Sequence, residues 1–200
     1  MMKKIKIVYI DDNIDISLSK FLAEKYSRDG FEIESAEVNF DTTQSYPSLL
    51  CNDDVRTANI VIVDSKLFED QTVSGNKFTG EEFKILLKKF YPYIEVFVIT
   101  QNDLDPNLGV NISKWRKSKT CNDGLMFYQE NITAILDNAI DNIIITRNLA
   151  DKIKENIEID AVTVEKIINS LEGNDSFDEL KKSDIDELIK TFEELRKGDK

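Results

Sequence analysis

The chain has 200 residues, with 26 Lys plus Arg against 38 Asp plus Glu and a net charge of −12. That acidity argues against nucleic acid as the main partner, because phosphate contacts need clustered Lys and Arg. There is no histidine, and Cys51 and Cys121 fall in no CxxC spacing, so a zinc site, a Ser-His-Asp triad, a Cys-His pair and a histidine phosphocarrier are excluded in cis.

The elements follow in chain order. Met1-Met2-Lys3-Lys4 leads straight into the apolar run Ile5–Ile10, with no signal-peptide pattern, and no apolar stretch is long enough for a membrane span. A cytoplasmic protein with no membrane partner is therefore expected. Ile14, Leu18, Phe21, Leu22 and Tyr26 recur at helical intervals, with Gly30 as a stop. Phe31–Val38 alternates apolar and polar residues, as an edge strand with one wet face does.

Residues 46–57 read as a short helix, Ile60–Val63 as a buried strand and 66–79 as a polar loop containing Gly75. Glu81–Phe90 carries a helical apolar stripe, and Glu95–Thr100 is a fourth strand. Residues 101–111 read as loop, with a fifth strand around Ile112–Lys117. From about 127 to 157 the pattern is that of one long amphipathic helix. Asp160 can cap a further helix carrying Val164, Ile167, Ile168 and Leu171, which Gly173-Asn174-Asp175 breaks. Ser176-x-x-Glu179 and Ser183-x-x-Asp186 are capping-box-like starts beyond it.

This alternation predicts βαβ units over residues 1–140, and a helical extension over 141–200 that continues from the last helix of the first part. The expected fold is a flavodoxin-like doubly wound α/β domain, a five-stranded parallel sheet in the order 2-1-3-4-5, followed by the C-terminal helices. The long helix fits either a two-stranded coil with a second copy, giving a homodimer, or a fold-back onto the later helices.

Strand C-terminal ends in such a sheet share one crevice, where ligands bind. Asp11 and Asp12 close the first strand, and Asp64 closes the third. Three carboxylates gathered there repel one another unless a cation joins them, and a divalent metal suggests phosphoryl chemistry. Taken singly, each residue has a plainer role. Asp11, Asp12 and Asn13 suit the cap of the first helix, Asp64 a strand-end acid, and Thr100 an ordinary strand terminus. Their occurrence together and in order favours the site.

Asp11-Asp12 after IKIVYI, Asp64 after NIVIV, Thr100 ending VFVIT and a lysine within KWRKSK resemble the receiver domain of two-component response regulators over residues 4–140. The resemblance implies a phosphoacceptor at Asp64, with Mg²⁺ held by Asp11, Asp12, Asp64 and the backbone carbonyl of Lys66. It implies that Thr100 and a lysine contact the phosphoryl oxygens. Lys117 is taken as that lysine, with Lys114 and Lys119 as rivals. Mg²⁺ needs only one or two carboxylates when waters and phosphate complete its shell, and a carboxylate can attack phosphorus to give an acyl phosphate.

The implied partners are a histidine kinase and a downstream protein target reached through the helical tail. No enzymatic activity is expected beyond self-catalysed phosphoryl transfer and autodephosphorylation. The chain departs from typical receivers in three ways: Gln101 follows Thr100, Ser118 rather than proline follows Lys117, and Lys117 lies only 17 positions after Thr100. That spacing predicts a short or missing fourth helix. These departures, with the long helix, motivate the alternative of a phosphorylation-independent adaptor or assembly subunit. A haloacid-dehalogenase-type phosphatase would want an acid at position 66, which is Lys.

Overall fold

The computed structural model describes residues 3–41, 45–67, 79–102, 111–118, 122–154 and 160–172. The expectations for Gly75, for a short fourth helix between 103 and 110, for Lys119 and Cys121, and for the Gly173 break with its two later capping boxes lie outside the described residues.

Five parallel strands form one sheet: β1 (Lys3–Asp11), β2 (Phe31–Asn39), β3 (Ile60–Asp64), β4 (Glu95–Thr100) and β5 (Asn111–Ser113). Their order is β2-β1-β3-β4-β5, so the chain doubles back at β1 and builds outward in both directions. The sheet is the flavodoxin-like one expected, with β2 at its edge. β1 and β3 are neighbours, with Ile10 opposite Val63. That register sets Asp11 and Asp64 at the same end of adjacent strands.

Both faces are covered, which is why the central strands read as unbroken apolar runs. Alternate residues point to opposite sides. Val8, Ile10, Val61, Val63, Val96 and Val98 pack with α2 (Tyr46–Leu50), α3 (Asp53–Arg56) and α4 (Gly80–Phe90). Ile7, Tyr9, Ile60, Ile62, Ile99 and Ile112 pack with α1 (Ile16–Lys20) and α5 (Gly124–Lys154).

Several boundaries differ from the sequence reading for local reasons. The first helix begins only at Ile16, because Asp15 caps it, its Oδ1 accepting from Ser17 N at 2.8 Å and Leu18 N at 3.4 Å. It then widens into a π-helical turn over Phe21–Lys25, closed by the bond from Tyr26 N to Phe21 O. The single helix expected over 46–57 is two, because Asn52 Oδ1 accepts from Asp54 N and Val55 N and starts a new helix.

α5 runs unbroken through residue 140, so the expected boundary falls inside a helix. Its first part is bolted to the end of the first helix: Tyr26 Oη donates to Asp137 Oδ1 at 3.0 Å, and Arg28 reaches Asp141 at 2.5 Å. Beyond it, α6 (Ala161–Glu172) starts at Asp160, whose Oδ1 accepts from Thr163 N at 2.8 Å. α6 packs back on α5, burying Ala150, Val164 and Leu171, and Arg147 Nη2 donates to Leu171 O at 3.4 Å. The last two helices, the expected partners for a fold-back of the long helix, lie outside the described residues.

Candidate metal centre

Each acid sits where the last residue of a buried strand leaves the sheet. Asp11 ends β1 and is wholly buried, and Asp64 ends β3 with 6% of its surface exposed. Asp12, next along the chain, is the less buried of the three. One carboxylate oxygen from each of Asp11, Asp12 and Asp64 lies within 4.8 Å of the others. The alternative role for Asp11 and Asp12 as helix caps does not hold, since Asp15 makes the capping bonds.

The lysine that meets these acids is Lys114, not Lys117. Its Nζ donates to Asp11 Oδ2 at 2.6 Å and to Asp64 Oδ1 at 3.1 Å. Lys117 is exposed, and no ion pair joins it to the cluster among the described residues. The physical reason is register. β5 ends at Ser113, opposite Thr100, and Lys114 is the first residue past it. Lys114 N donates to Thr100 O at 2.7 Å, which fixes the point where its side chain departs.

Three carboxylates face one ammonium, and the electrostatics reflect that imbalance. Burial, followed by the charge of Asp11, pushes the Asp64 carboxyl above the usual carboxylate range, more than Lys114 pulls it down. Burial, then the hydrogen bond and charge of Asp11, likewise raises Asp12. For Lys114, burial lowers the ammonium, but Asp11 and Asp64 together outweigh it and leave the group raised. A cluster with an uncompensated negative charge and closely spaced oxygens suits a hard divalent cation, so these residues fit Mg²⁺.

The other expected residues are arranged around the cluster. Lys66 presents its backbone N–H to Asp64 Oδ2 at 2.9 Å. Thr100 is 5% exposed at the end of β4, and its hydroxyl oxygen accepts from Asn102 N at 3.1 Å. Gln101 is exposed. Trp115 is partly buried against the α1–α5 side of the core, with its backbone N–H donating to Tyr128 Oη at 2.9 Å.

Four residues of the surroundings escaped the sequence reading. Tyr9 Oη donates to Asp11 Oδ2, and Asp15 N donates to Tyr9 Oη at 3.2 Å. Tyr128 Oη donates to Asp15 Oδ2 at 2.5 Å. A polar tyrosine tip at an inward strand position needs a partner, and that was the available signal for Tyr9. Gly80 is the fourth: a Cβ there would lie 2.3 Å from Asp64 O, so only glycine lets α4 begin against the strand end.

The sheet order and the acid-tipped strand ends define a flavodoxin-like doubly wound protein with a metal-competent crevice. No protein-family model matches the chain, and no curated protein matches it. Among solved structures it is similar to a two-component transcriptional regulator AraC from Clostridium phytofermentans ISDg, at 17% identity and a TM-score of 0.39, covering 70% of this chain and 94% of that one. It is similar to the REC domain of RcsB from Salmonella enterica serovar Typhimurium with phosphomimetic BeF3−, at 19% identity and a TM-score of 0.35, covering 53% and 67%. It is also similar to the RcsB response regulator of Salmonella typhimurium in a structure concerned with DNA interaction, at 14% identity and a TM-score of 0.42, covering 94% and 99%.

Proposed function

We propose that this chain is an atypical receiver that accepts a phosphoryl group on Asp64 in a Mg²⁺-dependent reaction and signals through protein contacts of its helical tail. The observation that carries this reading is the meeting of Asp11, Asp12 and Asp64 with Lys114 at the C-terminal edge of the sheet.

Asp11, Asp12 and Asp64 would hold the cation, with the Lys66 carbonyl as a further ligand; the cation neutralises charge on the transferring phosphoryl group. Asp64 supplies the nucleophile. Its Oδ1, once Lys114 has let it go, forms the new O–P bond as the donor's P–N bond breaks, the donor being the phosphohistidine of a partner kinase. Lys114, released from its bridge, turns its ammonium to a phosphoryl oxygen as a point charge. The Thr100 hydroxyl, at the adjoining strand end, donates to another. The acidic balance of the chain supports a protein target rather than nucleic acid, and among the described residues no helix is long and apolar enough to cross a membrane. The site of action we propose is the cytoplasm.

One observation favours a second reading, an adaptor that needs no phosphorylation: Lys114 already bridges Asp11 and Asp64, so a single ammonium satisfies both without metal. Trp115, the only tryptophan, sits next to that lysine and reports on it. Under the first reading, Mg²⁺ with beryllofluoride changes Trp115 fluorescence in the native chain and leaves Asp64→Asn silent. An adaptor shows no Mg²⁺-dependent change and keeps its partner in both forms.

A further inference from the structure

Tyr9 is, with Tyr128, among the largest fully buried side chains of the described residues, and it lies on β1 two residues before Asp11. Residues two apart share a face of a strand, so the phenol runs along the sheet toward the carboxylate and its hydroxyl donates to Asp11 Oδ2. Phenylalanine would fill the same core space; the hydroxyl serves the polar contact alone. Asp11 Oδ2 thus takes two donors, Tyr9 and Lys114, while Oδ1 accepts from Asn13 N at 3.0 Å.

Tyr9 is held in turn. Asp15 N donates to its oxygen at 3.2 Å, Asp15 Oδ1 caps α1, and Asp15 Oδ2 accepts from Tyr128 Oη on α5 at 2.5 Å. Trp115 N closes the chain of bonds onto Tyr128 at 2.9 Å, directly beside the lysine of the cluster. Gly124 permits the approach of α5, since a Cβ there would come within 2.5 Å of Ser17 Oγ and 3.0 Å of the Trp115 ring.

We infer that Tyr9 is a positioning residue for a divalent cation, orienting Asp11 as a ligand through its hydroxyl, with Asp15 and Tyr128 as the brace behind it. This rests on the Mg²⁺ site proposed above and adds to it a set of residues outside the acids, the lysine and the threonine. Partners that orient a ligating carboxylate matter nearly as much as the ligand, and their loss typically weakens metal binding about 10–100-fold.

The test is titration of the full chain with MgCl2, followed by Trp115 fluorescence and by calorimetry, for the native protein and for Tyr9→Phe, Tyr128→Phe and Tyr26→Phe. Tyr9→Phe is expected to bind Mg²⁺ about 10–100-fold more weakly. Tyr128→Phe should show a smaller loss. Tyr26→Phe should bind as the native chain does, because its hydroxyl bonds Asp137 and takes no part in the bonds among Tyr9, Asp15 and Tyr128. A purely structural role would lower the melting temperature in EDTA and leave Mg²⁺ affinity unmoved. Native-like affinity in Tyr9→Phe overturns the inference while leaving the receiver reading intact. A native chain that binds no Mg²⁺ overturns both. If Tyr9→Phe fails to fold, Tyr128→Phe decides: weakened binding supports the brace, and unchanged binding refutes it.

Discussion

Replacing Lys114 with methionine keeps the aliphatic stem and removes the charge that stands between two buried carboxylates. The lysine side chain is 10% exposed, and the side chains of Asp11 and Asp64 are 0% and 8% exposed, so solvent screens these contacts little. At an effective dielectric of about 20, separations of 2.6 and 3.1 Å give gross attractions of roughly 6 and 5 kcal/mol. Desolvation of the ammonium offsets much of that, and breaking a buried pair costs about 3–5 kcal/mol net. Without the ammonium the two carboxylates still accept from Tyr9 Oη, Asn13 N and Lys66 N, which places the expected loss near the lower end. A loss of about 3 kcal/mol in a chain of this size lowers the melting temperature by roughly 6–12 °C. Mg²⁺ at about 100 times its dissociation constant adds about 2.7 kcal/mol to any form that binds it, so the variant in Mg²⁺ should melt close to where the native chain melts in EDTA. Lys117→Met, on the exposed side, should change stability by no more than about 0.5 kcal/mol. Calorimetric melts of both variants in EDTA and in Mg²⁺ measure this. Equal melting temperatures for the two variants, or a Lys114→Met loss that Mg²⁺ does not restore, would refute the placement of Lys114 in the site.

Further outcomes follow from the same geometry. Gly80→Ala forces a methyl against the Asp64 carbonyl and should cost about 1–3 kcal/mol by chemical denaturation, as overpacking does; a neutral substitution would contradict the close approach of α4. Asp64→Asn should raise the melting temperature in EDTA, because the raised carboxyl of Asp64 means its charged form opposes folding at neutral pH. A lower melting temperature would show that the Lys114 bridge outweighs burial. Tyr9, Tyr26 and Tyr128 are all raised, each first by burial. The unfolded chain releases their protons near pH 10 and the folded chain does not, so stability is level below that pH and falls above it. The slope is up to about 1.4 kcal/mol per pH unit for each phenol. Denaturant melts between neutral and strongly alkaline pH check this, and a flat profile would contradict the burial of these hydroxyls.

Much of the sheet was legible because its strands announce themselves. Ile7–Ile10 and Ile60–Val63 are apolar without alternation, which only a strand covered on both faces needs, and each runs directly into an acid. The acids were readable for the same reason: strand ends in a parallel sheet converge whatever the loops do. The lysine was not readable by spacing, because β5 is only three residues long and has no pattern to set a register. The rule that served the acids would have served here too. Asp11, Asp64 and Thr100 are each the last residue of a strand, and Lys114 is the first residue after one. Asp15 was obscured by the richer acidic signal at Asp11-Asp12-Asn13, although the side chain nearest the first helical turn is the one able to cap it. Tyr9 sat inside an apolar run, and the Tyr128 hydroxyl meets Asp15 across 113 residues of sequence, so neither showed its polar role in the pattern.

The most direct trial is intact-mass spectrometry of the native chain and of Asp64→Asn after incubation with acetyl phosphate, with Mg²⁺ and with EDTA. One added phosphoryl group on the native chain, dependent on Mg²⁺ and absent from the variant, is the predicted result. A native chain that stays unmodified in Mg²⁺, or a variant modified equally, would contradict the assignment of Asp64 as phosphoacceptor.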